Sequence, residues 1–495
     1  MANGVQLLTY ADRFGGAGLK GLRELLTGPL EGLFSGVHIL PFYYPIDGAD
    51  AGFDPIDHLT VDRRLGDWSD LKALTAILDV TADLVVNHIS ADSEQFRDYV
   101  RHGSASRYAG MFLTVGKVFG NDADEADFSA VYRPRPTAPY VAKLLGDGTE
   151  RRLWTTFTAQ QIDIDVADLG AQAYLRSILE KLAEAGVSTV RLDAVGYAVK
   201  TAGTSCFMTP ETYRFIDRMA AWTHALDMRA LAEIHAHYRY QIEAARHVDY
   251  VYDFALPPLV LNALFERDAS ALKRWFEICP RNAISVLDTH DGIGVMDVGA
   301  DALDRRSKGL IAPEAIDAMV EKIHANSGGV SKQASQQDVG NLDLYQVNCT
   351  FYDALGRDDR DYLLARMIQF FAPGCPQVYY VGLLAGQNDT EQLARTRWGR
   401  DVNRRYYSRV AIEQQLERPV VQSLLGLLRF RNDCAAFDGL FEVLDSPDHV
   451  LHLRRSLDAS VAELKVDLQS RRFEIDHRDG TQQRRFSDFD GLRNP

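Results

Sequence analysis

The chain has 495 residues, 46% of them hydrophobic, which is too long for one ordinary domain and enough to bury a large core. Its 54 basic and 69 acidic side chains give a net charge of −15, a balance that opposes binding to nucleic acid or to an anionic membrane while allowing a local basic pocket for one small anion. Five scattered cysteines (Cys206, Cys279, Cys349, Cys375 and Cys434) without a Cys-x-x-Cys pair argue against a disulfide framework or a zinc site.

Eight short β-branched or apolar runs read as strands in chain order. They are Val5–Thr9, Gly36–Pro41, Ala82–Asn87, Thr189–Asp193, Ala230–Ile234, Val248–Tyr252, Ala283–Leu287 and Pro376–Tyr380. Helical patterns lie between them. Leu175, Ile178, Leu179 and Leu182 form one apolar helix stripe. Thr209-Pro210-Glu211 reads as an N-cap, a first-turn proline and a first-turn acid, opening a helix through Leu226. A further helix spans Asp358 to Phe371 and ends before Pro373-Gly374.

Eight strands alternating with helices predict an α/β fold, a (β/α)8 TIM barrel. Two interruptions are too long for simple connections. Residues 88–166 are rich in Gly, Pro and aromatics, and residues 292–353 carry a polar stretch from Ser327 to Gln337. Both follow a strand, so both are expected to leave from the C-terminal face, where barrel active sites sit. The barrel is thus expected in three parts, 1–87, 167–291 and 354–436. After residue 437 short alternating runs predict a small C-terminal β domain. The N-terminus shows no basic region followed by an apolar run, and no stretch reaches ~18 apolar residues. The expectation is a cytoplasmic protein that does not enter a membrane.

Three strand ends carry carboxylates: Asp193 after Arg191-Leu192, Glu233 before Ile234-His235, and Asp291 after Asp288-Thr289-His290. A barrel collects strand ends on one rim, so acids far apart in sequence can converge. Glycoside chemistry needs such a set: one carboxylate to attack, one acid to protonate the leaving oxygen, and further negative charge for an oxocarbenium-like transition state. Arg191 lies on the same strand face as Asp193 and is expected to keep it ionised. Glu233 has apolar neighbours and no adjacent arginine, which suits a general acid. Asp291 would hold charge without forming a bond, and His290 and His88 could donate hydrogen bonds to sugar hydroxyls. Taken singly, each carboxylate could equally be a cap or a surface ion-pair member. It is the set of three at strand ends that points to catalysis.

At these residues the chain resembles glycoside hydrolase family 13, the α-amylase superfamily. The segments that carry the resemblance are Asp83-Leu-Val-Val-Asn87-His88, Val190-Arg191-Leu192-Asp193-Ala194-Val195, Leu231-Ala232-Glu233-Ile234-His235 and Val286-Leu287-Asp288-Thr289-His290-Asp291. Within the family the chain is similar along nearly its whole length to the branch that phosphorolyses sucrose. Carrying segments there include Asp47-Gly48-Ala49-Asp50-Ala51-Gly52-Phe53, Asn341-Leu342-Asp343-Leu344-Tyr345-Gln346 and Gly399-Arg400-Asp401-Val402-Asn403-Arg404. The resemblance implies retaining transfer of the glucosyl unit of sucrose to inorganic phosphate, giving fructose and glucose 1-phosphate, by a homodimer that needs no metal or organic cofactor.

It also implies roles: Asp193 nucleophile, Glu233 acid/base, Asp291 transition-state stabiliser. Asp50, His88, Arg191, His290 and Arg400 would hold the glucosyl unit, and Phe53 and Phe157 would wall its pocket. Arg135, His235, Asp343, Tyr345 and Gln346 would meet fructose or phosphate. The two insertions would be the B and B′ domains. The loop 331–340 is more polar than the Ala-rich version expected in this branch, which bears on the acceptor and leaves sibling phosphorylases of sucrose 6′-phosphate, glucosylglycerol or glucosylglycerate as the alternative.

Overall fold

All eight expected strands form, and they close on one another. The computed structural model describes residues 4–48, 50–120, 123, 126–133, 138–304, 306–337 (backbone only at 336–337) and 346–493. The strands are β1 (Gln6–Thr9), β2 (Gly36–Ile39), β3 (Asp79–Val85), β4 (Thr189–Asp193), β5 (Arg229–Ala232), β6 (Tyr250–Asp253), β7 (Ala283–Ser285) and β8 (Cys375–Tyr379). Each pairs in parallel with its neighbours in the chain, and β8 returns to β1, giving a closed (β/α)8 barrel. β2, β4 and β8 are buried along their whole length, their polar side chains His38, Arg191, Asp193 and Gln377 included.

The helices follow local signals. α1 (Leu169–Glu184) buries the stripe Leu175, Ile178, Leu179 and Leu182 and is capped by Asp168, which accepts from the N–H groups of Gly170 and Ala171. α2 (Pro210–His224) starts as expected, with Thr209 accepting from Thr212 N–H, and ends two residues earlier than Leu226.

Strand ends run differently from the sequence expectation. β5 stops at Ala232 and β7 at Ser285, so Glu233 and the segment 288–291 stand in the loops just past the ladder rather than on it. The first insertion holds the antiparallel hairpin Tyr140–Leu144 with Glu150–Trp154. It returns as the strand Gln161–Asp163, which pairs antiparallel with His88–Ser90 and so comes back to the point it left.

The second insertion is more helical than its polar, Gly-containing sequence suggested. It contains α3 (Pro313–Asn326) and α4 (Val330–Gln337), separated by Ser327-Gly328-Gly329 with both glycines at positive φ. The polar stretch expected as loop is therefore a helix break followed by a short helix.

α5 (Asp359–Phe371) is buried nearly throughout and packs behind β7 and β8. Five antiparallel strands, β9 (Leu440–Val443), β10 (Val450–Leu457), β11 (Ser460–Asp467), β12 (Arg472–Asp479) and β13 (Gln482–Phe486), make the expected C-terminal sheet in simple meander order. All five cysteines are buried and none is in a disulfide. Among the described residues no helix is long and apolar enough to cross a membrane.

Candidate active site

The chemistry gathers around one buried guanidinium. The register of β3 with β4 sets Asp83 opposite Arg191, and Arg191 and Asp193 share a face because side chains alternate along a strand. Arg191 Nη1 contacts Asp83 Oδ1 and lies 2.8 Å from Asp193 Oδ1, while Nη2 lies 3.0 Å from Glu233 Oε1. Asp83 is held from behind by His38 Nε2 at 3.0 Å. Glu233 is fixed on its other oxygen by the Ala194 N–H, at 3.1 Å. Ala194 follows the strand in the left-handed region, at φ 53°, a conformation costly for a non-glycine residue.

Sharing one cation among three carboxylates changes the expected electrostatics. Asp83 lies below the ordinary carboxylate range: burial pushes it up, but Arg191 and His38 prevail. Asp193 moves the other way, well above that range. Burial is the main cause, Glu233 and Asp83 add to it, and Arg191 opposes without overcoming it. The expectation that Arg191 alone keeps Asp193 ionised is therefore corrected.

Asp291 sits in the opposite environment. Burial disfavours its charge, yet Arg400 and the His235 imidazolium hold its carboxyl well below the usual range. Arg400 Nη1 is 2.8 Å from Asp291 Oδ1, and Arg404 Nη2 is 3.8 Å away. His235 Nε2 lies 3.5 Å from Glu233 Oε1 and 3.6 Å from Asp291 Oδ2, with Asp297 behind Nδ1 at 3.9 Å. Burial works against its protonation, but Asp291, Asp297 and Glu233 raise it to about 10, so it is an imidazolium at neutral pH. Its ring stacks on Phe254 with centroids 3.8 Å apart. His290 is driven well below its usual value by burial, with Arg191 and Arg404 adding, and is neutral.

Asp193, Glu233, His235, His290, Asp291 and Arg400 line a cavity together with Asp50, Phe53, His88, Phe157 and Gln161. Phe53 lies flat on His290, 4.7 Å between centroids and 8° between planes. Phe157 meets His88 edge-on at 5.4 Å. Both phenyl rings thus serve the cavity wall as well as the packing. His88 spends its Nε2–H on the Phe53 carbonyl, 3.2 Å away, so the hydrogen bond expected for a sugar hydroxyl is engaged within the protein here. At one end of the cavity Arg400 Nη1 is 3.9 Å from Asp50 Oδ1, and Arg400 Nη2 is 3.4 Å from Gln346 Oε1. The expected residues Arg135, Asp343 and Tyr345 lie outside the described residues.

Three contributors escaped the sequence reading. Gln161 lines the cavity from the strand that returns to His88, and no motif marks it. Arg404 fixes the 288–291 loop, its Nε–H donating to the His290 carbonyl at 2.8 Å. Lys200 is a buried staple: its ammonium contacts Asp163 Oδ2 at 2.6 Å, Asn87 Oδ1 at 2.8 Å and the Tyr197 carbonyl. It ties the first insertion to β3 and to the turn after Asp193. Basic residues just before and after strand motifs were the available signal.

Ligand atoms of Glu233, His235 and Asp291 come within 4.8 Å of one another, the spacing of a metal site. The proton on His235 competes with any metal for that nitrogen.

The model of the α-amylase catalytic domain matches residues 19–307. Sucrose phosphorylase of Agrobacterium vitis is 56% identical over 466 residues, 94% of this chain and 95% of the relative. Sucrose phosphorylase of Bifidobacterium adolescentis is 50% identical over 448 residues, covering 90% and 89%. The crystal structure of sucrose 6F-phosphate phosphorylase from Thermoanaerobacter thermosaccharolyticum matches with a TM-score of 0.91 at 37% identity, over 99% of this chain and 98% of that one.

Proposed function

The chain belongs to the α-amylase catalytic-domain family, and from that premise we propose that it transfers the glucosyl unit of sucrose to inorganic phosphate with retention of configuration. The observation that carries the reading is the single guanidinium of Arg191 holding both Asp193 and Glu233 at the foot of one cavity. Two carboxyls bridged in this way suit the ~5 Å separation of a retaining pair better than the roughly 6.5–9.5 Å of an inverting one.

Asp193 attacks the anomeric carbon while Glu233 gives its proton to the fructosyl oxygen, and the glycosidic bond breaks. In the reactive state of this proposal Glu233 carries the proton and Asp193 is the nucleophilic anion beside Arg191. Asp291, kept anionic by Arg400, offsets the positive charge that develops on the sugar ring. Fructose leaves, a phosphate oxygen attacks the β-glucosyl ester from the other side, and α-glucose 1-phosphate departs. Two inversions give net retention.

Asp50 and Arg400 form the part of the wall that would limit the cavity to one sugar in this proposal. Arg191 and His290 hold that glucosyl unit between Phe53 and Phe157, and His88, with its Nε2–H on the Phe53 carbonyl, forms part of the wall. The His235 imidazolium, beside Glu233, is suited to fructose hydroxyls and then to a phosphate oxygen. Arg135, Asp343, Tyr345 and Gln346 complete the acceptor side in this proposal, the B and B′ domains being residues 88–166 and 292–353. The enzyme works in the cytoplasm as a homodimer.

The test is to incubate the purified protein with sucrose, sucrose 6′-phosphate and glucosylglycerol, each with and without phosphate, and to measure glucose 1-phosphate. Sucrose is expected to be the best donor, with phosphate required for rapid turnover. Preference for sucrose 6′-phosphate would move the chain to the substrate named for its structural neighbour.

A further inference from the structure

A second cavity, of about 470 Å3, lies against the outer side of the wall that ends the catalytic one. Asp50, Gln161 and Arg400 line both, so the partition is a single layer of side chains. Beyond that layer the outer cavity is built from other residues, chiefly the segment after the helix Thr390–Thr396.

Its aromatic content stands out. Trp398 is 52% exposed and Tyr406 47% exposed, and both line this cavity. Arg13 covers one face of Tyr406, its guanidinium carbon 4.9 Å from the ring centroid, so the phenol ring is held in place and has one face left to present. The Trp398 backbone N–H donates to Thr396 Oγ1 at 3.2 Å, and Arg400 follows two residues later in the 3-10 turn Gly399–Asn403. Exposed rings lining a concave surface are a recurrent mark of ligand recognition.

The surrounding charge selects the class of ligand. Four guanidinium groups and three carboxylates line the cavity, a near balance. They are also largely paired: Arg13 and Arg404 each reach Asp401, at 3.9 and 3.8 Å, and Asp47 is bound by Arg64 at 2.7 Å. An anion finds little net attraction there. What the surface offers is aromatic faces ringed by hydrogen-bonding groups, the complement of a pyranose with its apolar C–H face and polar edge.

We propose that the outer cavity is a second sugar-binding site, taking a neutral hexopyranoside stacked on Trp398 and Tyr406, separate from the catalytic cavity. It stands whether or not sucrose is the substrate, since it rests on residues outside the catalytic set. The chain has five tryptophans, and Trp398 alone among them lines either cavity.

The full-length protein labelled with 5-fluorotryptophan is titrated with methyl α-D-glucopyranoside and, separately, with inorganic phosphate, following the Trp398 fluorine resonance identified by its loss in Trp398→Phe. The glucoside should shift that resonance saturably and phosphate should not. In Tyr406→Ala the affinity read at Trp398 should weaken by roughly tenfold, with kcat/KM for the catalysed reaction unchanged. A flat titration, an equal response to phosphate, or a shift whose affinity Tyr406→Ala leaves untouched, as transmission from the catalytic cavity would give, overturns the proposal.

Discussion

Arg191 meets carboxylates from three neighbouring strand ends, and one positive charge cannot satisfy three negative ones in a buried site. Glycosidic cleavage needs one proton, which the proposed mechanism assigns to Glu233. Glu233→Gln should therefore lose turnover of sucrose by roughly 10²–10⁴-fold, while α-glucosyl fluoride, whose leaving group needs no proton, still glucosylates Asp193. Comparing burst rates on the two donors reads this directly. A second residue-scale prediction concerns pH. His235 is raised from 6.5 to about 10 in the folded protein, so its stabilising contribution is complete below pH 6.5 and disappears as pH rises through about 10. Asp291 is shifted down, so its contribution is present above the ordinary carboxylate range and disappears in acid. Urea unfolding at pH 7 and pH 10 should show an alkaline loss of stability that His235→Gln flattens. An unchanged alkaline slope would show that the imidazolium is not held by Asp291 and Asp297.

Elements place these residues through joints that are themselves buried ion pairs. α5 carries Arg366, whose Nη2 is 2.7 Å from Asp288 Oδ2, both side chains being almost wholly buried. Gly382, after β8, leaves room for this pair, and a Cβ there would collide with both partners. Arg366→Leu should destabilise the fold by about 3–5 kcal/mol at neutral pH because it strands a buried carboxylate. The loss should shrink in acid, where Asp288 is protonated, and paired denaturation curves test both parts. The barrel strands were legible because parallel strands covered on both sides read as apolar runs. Their ends were not, since Glu233-Ile234 and Val286-Leu287 continue the apolar run after the ladder has stopped. α4 was hidden by Gly328-Gly329 and by a polar sequence that shows no wide apolar face. Gln161 was illegible for a similar reason: its position comes from the pairing of its strand with His88–Ser90, and no local pattern encodes that contact.

At the scale of the whole molecule, the barrel brings residues 193, 233 and 291 to one rim, and the first insertion folds back onto it to supply Phe157 and Gln161. The three acids were legible because strand-end carboxylates in a barrel have few other places to go. The rise of the Asp193 carboxyl was not, because it depends on burial, on Asp83 from the neighbouring strand and on how many acids one arginine serves. The central claim is a glucosyl unit carried covalently by Asp193, and it has a direct test. The enzyme is mixed with sucrose in the absence of phosphate, quenched in acid within the first turnover, digested and analysed by mass spectrometry. A hexosyl adduct on the peptide containing Asp193, lost when phosphate is added before the quench, is the predicted result. Rapid glucose 1-phosphate formation with no adduct at any quench time, or an adduct on a different carboxylate, would contradict it.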